Sequence, residues 1–422
     1  STLEPLFEAI TTKVPHPQGN IAEPFKMLVT TIDYNDYLGR LGIGRVHRGT
    51  IKYGGSMKII HRDGTMEDAR VTKIYTFEGL KRIETNEASV GDIIALSGME
   101  DVDIGETIAD AADPTPLPFV AIEEPTLSMN FVVNNSPFAG QEGKYVTTRN
   151  LSERLAKELR SNVSLRVEMT DSPDAFRVSG RGELHLGVLI ENMRREGYEL
   201  AVSKPHVVTK EINGEKCEPY ELLTVDIEEE HQGGVMEELG RRKGELTDMS
   251  SDSNGRSRLE YRIPARGLIG FQGEFLTLTR GTGLMAHLFD DYGPIKADIP
   301  GRRNGVLISQ ENGAAVAYAL WNLEDRGRMF VVPGDKLYEG MIIGVHNREN
   351  DLIVNPIRGK KLTNVRASGT DEAVRLTPPI KLTLERAIEF IDDDELVEIT
   401  PISLRLRKRY LSEHDRKRMN RG

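Results

Sequence analysis

The stretch Arg181-Gly-Glu-Leu-His-Leu186 opens an amphipathic segment that stops at Gly197 and is followed by Pro205-His-Val-Val-Thr-Lys-Glu211. Apolar side chains recur in this segment at helical spacing, at Leu186, Ile190 and Met193. Apolar residues three and four apart, followed by a glycine, predict a helix that packs one face on a core. The flanking segments therefore decide which fold the helix belongs to.

Strand and helix patterns alternate around this helix in the order β-α-β-β-α-β between Glu124 and Glu211. The strand candidates are residues 127–133, 165–169, 176–179 and 198–202. The first helix begins near Asn150, which forms a candidate N-terminal cap with Glu153, and its apolar stripe is Leu151, Leu155 and Leu159. This order is that of a split βαβ, ferredoxin-like unit.

The same order recurs from Pro219 to Gly293, where strand and helix patterns again alternate. Its second helical run, Leu268–Leu278, contains Gly270 and Gly273, which weaken a helix. Only residues 212–218 separate the two units. The pattern therefore predicts two ferredoxin-like domains in series.

The remaining segments flank these two units. Residues 25–118 contain short strand patterns separated by glycines, which predicts a small β-barrel with tight corners. Residues 1–19 read as a short helix and a linker, interpreted as the remnant of a preceding domain. Residues 294–422 predict a β-rich mixed domain, with strands near 306–309, 313–320 and 341–346 and a helix over 384–391.

Several of these stretches resemble known translation factors. The Arg181–Leu186 motif with Pro205–Glu211 resembles a signature in the third domain of elongation-factor-type translational GTPases. Residues 44–49, 88–98 and 105–107 resemble their β-barrel second domain. The stretches 266–275, 279–283, 301–305 and 378–385 are similar to the BipA/TypA family of ribosome-associated GTPases. The resemblance covers nearly the whole chain and leaves out only the G domain.

The predicted fold class is therefore multidomain α+β, with a translation-factor β-barrel, two ferredoxin-like split βαβ domains and a β-rich mixed C-terminal domain. The predicted boundaries are a G-domain remnant and linker (1–19), a domain II-like barrel (20–118), a domain III-like unit (119–211), a domain V-like unit (212–293) and a family-specific C-terminal domain (294–422).

Composition narrows the class of protein. The chain has 422 residues, 38% of them hydrophobic, and no apolar run or signal peptide that would predict a membrane protein. Its one cysteine, Cys217, cannot form a disulfide within the chain or a zinc site, so we expect a cytoplasmic protein without metal or thiol chemistry. We also expect a monomer.

The net charge of −11 is unevenly distributed. From Pro294 onward 22 Lys and Arg residues outnumber 19 Asp and Glu residues, so the C-terminal domain is basic and the rest is acidic. A local basic region on an acidic body is typical of a protein that docks on RNA in one orientation. The RNA-binding candidates are Arg302, Arg303, Arg358, Lys360, Lys361, Arg366, Arg405, Arg407, Lys408, Arg409, Arg416, Lys417 and Arg418.

The run Leu404–Lys408 alternates apolar and basic residues, which predicts an edge strand with one cationic face. Other charged motifs have simpler interpretations. Glu183 and His185 favour a structural role at a helix start over acid–base catalysis. Glu228–His231 is interpreted as a solvated strand end and Asp392–Glu395 as a solvated loop, neither a metal site.

Neither a phosphate-binding G-x-x-x-x-G-K-[ST] loop nor a guanine-reading Asn-Lys-x-Asp motif occurs in the chain. We therefore expect no catalytic residues, no cofactor and no GTPase activity here. The resemblance implies that GTP or GDP and Mg²⁺ bind in the missing G domain of a full-length protein. It also implies the ribosome, with both subunits, rRNA and the acceptor end of a tRNA, as partners.

By resemblance, the chain is the ribosome-binding portion of a translational GTPase that docks near the A-site and is linked to large-subunit assembly and to stress or cold adaptation. Arg45, His47 and Arg48 would face the small subunit. The alternatives are a fragment of a LepA-like elongation factor and a general binder of structured RNA. A hydrolase or transferase would need convergent Asp, His, Ser or Cys residues in both ferredoxin-like units, which the sequence does not offer.

Overall fold

The computed structural model describes residues 3–35, 37–79, 81–118, 124–253, 255–296, 298–299, 301–359 and 375–419. The chain divides into two compact units, Ser1–Glu124 with Arg154–Leu165 and Pro125–Glu153 with Arg166–Gly422. The described residues form antiparallel sheets for the most part, with few helices, which confirms the predicted α+β class. None of the described helices is long and apolar enough to cross a membrane.

The first unit contains one N-terminal helix and a run of short strands. These are α1 (Glu4–Lys13), β1 (Lys26–Asn35), β2 (Gly39–Arg48), β3 (Thr50–Lys52), β4 (Ser56–Ile60), β5 (Met66–Arg70), β6 (Lys73–Glu78), β7 (Lys81–Thr85), β8 (Glu87–Ser89), β9 (Ile93–Ser97) and β10 (Thr107–Asp110). Helix α1 has no buried residue and exposes the apolar stripe Leu3, Leu6, Phe7 and Ile10.

Eight of these strands form one sheet in the order β5-β4-β10-β1-β2-β9-β6-β7, and β3 pairs with β8 in a separate ribbon. Among the described residues β5 and β7 do not pair with each other, so the sheet is open where a closed barrel was predicted. Its apolar core includes Met27, Val46 and Ile94. At Gly44 a Cβ would lie 1.9 Å from the carbonyl oxygen of Leu28, so β1 and β2 approach closely only because this residue is glycine.

The second unit begins with the domain III-like elements. They are β11 (Leu127–Val133), α2 (Thr148–Leu159), β12 (Arg166–Met169), β13 (Ala175–Gly180), α3 (Glu183–Glu196), β14 (Leu200–Ser203) and β15 (His206–Val207), and α2 also extends into the first unit. The antiparallel order β12-β13-β11-β14 is that of a ferredoxin-like sheet, as predicted. The N-cap of α2 is Thr147 rather than Asn150, because their side chains and backbones hydrogen-bond reciprocally.

The domain V-like elements repeat this arrangement. They are β16 (Lys210–Ile212), β17 (Glu215–Glu228), a 3₁₀ turn (Glu229–His231), α4 (Gln232–Arg241), β18 (Glu245–Ser251), β19 (Arg256–Pro264), α5 (Ala265–Leu268), α6 (Phe271–Leu278) and β20 (Leu284–Pro294). The strand order in this sheet is β20-β17-β19-β18, which is again the ferredoxin-like order. The weakened helical run is split into α5 and α6 at Gly270, whose φ is +70°.

The C-terminal elements are β21 (Val306–Ser309), β22 (Gly313–Ala314), α7 (Ala317–Leu323), β23 (Gly327–Met329), β24 (Lys336–Leu337), β25 (Met341–His346), β26 (Leu352–Val354), α8 (Leu384–Phe390), β27 (Glu395–Ile399), β28 (Leu404–Lys408) and α9 (Glu413–Met419). The predicted strand over 313–320 is wrong in its second half, where α7 begins. The domain is β-rich and mixed, as expected.

The C-terminal domain continues the domain III-like sheet. Strand β27 pairs with β14 from Leu200↔Ile399 to Ser203↔Leu396, and the sheet then runs β27-β28-β25-β21-β26. One sheet therefore crosses from one predicted domain into the other, which the sequence patterns did not indicate. The domain V-like sheet is separate and has its own core around Leu223, Leu259 and Phe271.

Candidate nucleic-acid interface

Arg302 and Lys408, two of the predicted RNA-binding cations, face a buried carboxylate. Glu395 is fully buried and accepts hydrogen bonds from the Arg302 guanidinium at 2.7 and 2.9 Å and from the Lys408 ammonium at 2.9 Å. Lys408 also pairs with Asp351 at 2.6 Å and Asp394 at 2.9 Å. Burial alone would lower the pKa of both cations, but the neighbouring carboxylates raise it. These charges are matched inside the protein.

The predicted edge strand at Leu404–Lys408 is wrong, because β28 lies between β27 and β25. Arg405 pairs with Glu142 and Glu398. Arg407 is 1% exposed, and its Nη2 donates a 2.6 Å hydrogen bond to Asn135 Oδ1. Burial lowers the pKa of Arg407, against the opposing charges of Tyr338 and Glu398. Neither arginine presents a cationic face to the surface.

Glu398 joins the domain III-like and C-terminal domains through buried polar contacts. This carboxylate is fully buried and accepts hydrogen bonds from Asn134 Nδ2 (3.1 Å), Ser136 Oγ (2.9 Å), Tyr338 Oη (2.5 Å) and Arg405 Nη1 (3.0 Å). We call these five residues the Glu398 latch. Burial, with the adjacent Glu398 charge, raises the pKa of Tyr338 well above its usual range. Sequence reasoning missed the latch because its members are distant in sequence.

The remaining basic residues of the C-terminus are more accessible. Arg303, Arg409, Lys417 and Arg418 are exposed. Lys417 pairs with Glu413 at 2.5 Å and Arg418 with Asp415 at 3.4 Å within α9. Such exposed pairs are weak because solvent screens them, so a polyanion can compete for them. Arg416 on α9 is half-buried and donates to the carbonyl oxygens of Tyr410 and Leu411, so it is a structural group that fixes α9 to the residues before it.

Arg358 is exposed at the start of the predicted RNA-binding loop. Lys360, Lys361 and Arg366 lie outside the described residues. The described residues before them are fixed to the C-terminal core, since the Val316 backbone N–H donates to Pro356 O at 3.0 Å. On the other side, the Thr377 N–H donates to Glu324 Oε1 at 2.5 Å. The described residues before and after this segment are therefore hydrogen-bonded to the two residues that flank α7, Val316 and Glu324.

An open cleft of about 1010 Å³ lies between α3 and the C-terminal domain. Its lining includes the exposed cations Arg195, Lys336 and Lys381 and the apolar side chains of Met341 and Leu384. Sequence reasoning did not single out these cations, because no local charge cluster marks them. The fold brings them together from three separate elements.

The remaining charged motifs make hydrogen bonds or ion pairs within the protein. The Arg181 backbone N–H donates to His185 Nδ1 at 3.2 Å, at the start of α3. Asp392 accepts from Lys204 at 2.9 Å, so with the buried Glu395 the acidic run is not the solvated loop that was expected. The ligand atoms of Glu228, Glu230 and His231 lie within 4.8 Å of one another, because residues 229–231 form a 3₁₀ turn and not an extended strand. His231 Nε2 pairs with both carboxylates, at 3.8 and 3.4 Å.

Sequence models of three families match the chain. The TypA/BipA C-terminal domain matches residues 304–413, the elongation factor G C-terminus matches residues 215–303, and elongation factor Tu domain 2 matches residues 39–109. All three are translation-factor domains, and the one at residues 304–413 is that of the TypA/BipA family.

Curated relatives match from end to end. The large ribosomal subunit assembly factor BipA of Salmonella typhimurium is 56% identical over 421 residues, which are 100% of this chain and 69% of that protein. The proteins of the same name from Bacillus subtilis and Haemophilus influenzae are 54% and 56% identical, over 99% of this chain and 68% of theirs. With this identity over its full length, the chain belongs to the TypA/BipA family.

Proposed function

We propose that this chain is the ribosome-binding portion of a TypA/BipA-type translational GTPase, that it docks near the A-site, and that it serves assembly of the large ribosomal subunit. The name of its relatives, large ribosomal subunit assembly factor, supports the proposal. The structural observation that carries it is the division of the C-terminal cations: Arg302, Arg405 and Lys408 pair with internal carboxylates and Arg407 is buried, whereas others are exposed.

The exposed cations are the proposed contacts with rRNA. Arg303, Arg358, Arg409, Lys417 and Arg418 are accessible, and Arg358 leads into the segment with Lys360, Lys361 and Arg366. Lysine and arginine side chains on such a surface bind phosphate oxygens without reading sequence. We propose that this segment reaches rRNA and the acceptor end of a tRNA, and that the first unit contacts the small subunit.

The sequence contains neither a phosphate-binding G-x-x-x-x-G-K-[ST] loop nor a guanine-reading Asn-Lys-x-Asp motif. We propose that it has no GTPase activity alone, and that GTP or GDP and Mg²⁺ bind to a G domain in longer members of the family. The exposed apolar stripe of α1 at Leu3, Leu6, Phe7 and Ile10 supports a contact with such a domain. The proposed site of action is the cytoplasm, and the proposed state is a monomer.

Co-sedimentation with isolated large subunits, small subunits and whole ribosomes over a salt series tests the docking. The variant Lys360→Glu/Lys361→Glu should bind large subunits more weakly, and the slope of log affinity against log salt should decrease by about 1–2, since each lost phosphate contact removes about 0.7–0.9. The control Lys52→Glu/Lys81→Glu makes the same change in net charge on exposed strands of the first unit.

An equal loss of affinity for large subunits in both variants would indicate non-specific electrostatic attraction. It would contradict the proposed contact of Lys360 and Lys361 with rRNA. If the parent chain binds no ribosomal particle even at low salt, docking by this chain alone is refuted. The general RNA-binding alternative predicts equal affinity for unrelated structured RNA, which the same assay measures by competition. The LepA-like alternative is disfavoured by the match of the TypA/BipA C-terminal domain.

A further inference from the structure

The domain III-like and C-terminal domains form one body, which we call the arm. Strand β14 pairs directly with β27, so the backbone hydrogen bonds of one sheet cross the boundary. The Glu398 latch closes the same boundary with buried side chains, and Phe138 packs its ring edge-on to Tyr338 at 5.1 Å in the C-terminal core. Separating these domains would expose paired strands and a buried charge, which is costly.

The domain V-like sheet meets the arm differently. Glu183 at the start of α3 and Glu389 on α8 belong to the arm. A Cβ at Gly273 on α6 of the domain V-like unit would lie 3.5 Å from Glu389 Oε2, and the charges of Glu221 on β17 and His287 on β20 act on Glu183. His287 Nδ1 hydrogen-bonds Glu221, but Glu183 Oε1 is buried with no hydrogen-bond partner among the described residues. This junction therefore combines one imidazole–carboxylate hydrogen bond with two further carboxylates, Glu183 and Glu389, whose charges oppose each other. A buried oxygen without a donor is an unfavourable arrangement when the carboxyl is charged.

The electrostatics of the junction follow from burial. Burial, with the nearby Glu389 and Glu221 charges, raises the pKa of Glu183 to about 7, against the opposing effect of His287. Burial also raises the pKa of Glu389. Its neighbour Glu385 adds to that shift, and Arg386 and Arg242 oppose it. The hydrogen bond that His287 donates to Glu221 raises the pKa of His287.

We propose that these four residues form a proton-dependent hinge, in which a proton on Glu183 holds the domain V-like unit against the arm and its loss releases that unit. A neutral Glu183 carries no charge toward Glu221 and Glu389 and gains a hydroxyl that can donate. An ionised Glu183 leaves its buried Oε1 charged and without a donor, near the charges of two other carboxylates. Glu183 and His287 both have raised folded-state pKa values, so their stabilisation is complete at low pH and is lost as pH rises, for Glu183 through about 7.

The distance between two spin labels, measured by pulsed electron paramagnetic resonance, tests the hinge. One label is placed at Ser250→Cys on β18 and the other at Ile402→Cys in the arm, both exposed, with Cys217→Ser to remove the native thiol. We expect one narrow distance at about pH 5.5 and a second, distinct population at about pH 8.5. Glu183→Gln cannot ionise, so it should keep the narrow distance at both pH values.

The control Glu260→Gln removes an exposed carboxylate of the same domain V-like sheet and should behave as the parent does. If Glu183→Gln does not fold, Glu389→Gln serves instead, and it should reduce the second population at about pH 8.5. Identical distances for the parent at both pH values would overturn the hinge, and so would a Glu183→Gln variant that opens like the parent. No ribosome is present, so the result is independent of the proposed function.

Discussion

Glu398→Ala tests whether buried charge pairing holds the arm together. The substitution removes the carboxylate of the Glu398 latch, to which Asn134, Ser136, Tyr338 and Arg405 all donate. Arg405 retains Glu142, but the other three donors lose the acceptor around which they converge. Arg407, which is already buried, also loses the nearby negative charge of Glu398.

The magnitude follows from the burial of the site. Removing one partner of a buried ion pair costs about 3–5 kcal/mol, because the charge left behind is neither solvated nor paired. Arg405 keeps a second carboxylate, which reduces the cost, whereas each abandoned neutral donor adds about 1 kcal/mol. We therefore expect Glu398→Ala to lower the free energy of unfolding of the arm by about 4 kcal/mol. Glu398→Gln keeps the shape and should cost about 2 kcal/mol.

Urea denaturation followed by tryptophan fluorescence measures this effect. The single tryptophan, Trp321, lies on α7 in the C-terminal domain, so its signal reports unfolding of the arm. The exposed Glu260→Ala variant is the control and should change the free energy of unfolding by no more than about 0.5 kcal/mol. A loss below about 1 kcal/mol for Glu398→Ala would refute the assignment of the latch as a stabilising contact.

Three other predictions concern charge, packing and docking. Glu183→Gln should be more stable than the parent by up to about 3 kcal/mol near pH 8 and similar to it near pH 4, because the parent pKa is raised from 4.5 to about 7; urea titrations at both pH values measure this. Gly327→Ala places a Cβ 1.8 Å from a carbonyl oxygen of β25 and should cost about 2 kcal/mol or more, whereas Gly182→Ala, with open space, should fold normally by thermal melting. Lys417→Glu/Arg418→Glu should weaken binding to large subunits without lowering the melting temperature, and a lowered melting temperature would mean that α9 is structural.

Local patterns predicted the elements well. The strands at 306–309 and 341–346 agree with β21 and β25, and both ferredoxin-like orders are present. These signals are local, because the alternating or helical spacing of the apolar residues lies within a single strand or helix. The strand predicted over 313–320 was wrong in its second half, since a short apolar run does not distinguish a strand from a helix such as α7.

The charge pattern was a poorer guide to the candidate interface. Arg405, Arg407 and Arg409 look alike in sequence, but the first two are paired or buried and the third is exposed. Their difference is set by β25 and Asn135, which are remote in the chain, together with the adjacent strand β27. A count of basic residues does not show which of them have a carboxylate beside them in the folded protein. The junction around Glu183 was also missed, since its partners come from three separate elements.

The sequence by itself determined the family, the order of the domains and the type of most elements, because motifs and periodicities are properties of neighbouring residues. Only the tertiary structure decided that β14 and β27 join two domains into one sheet, and which cations stay at the surface. Strand pairing and burial depend on residues hundreds of positions apart. The cost of desolvating an unpaired charge then decides which basic side chains find an internal partner and which remain accessible to RNA.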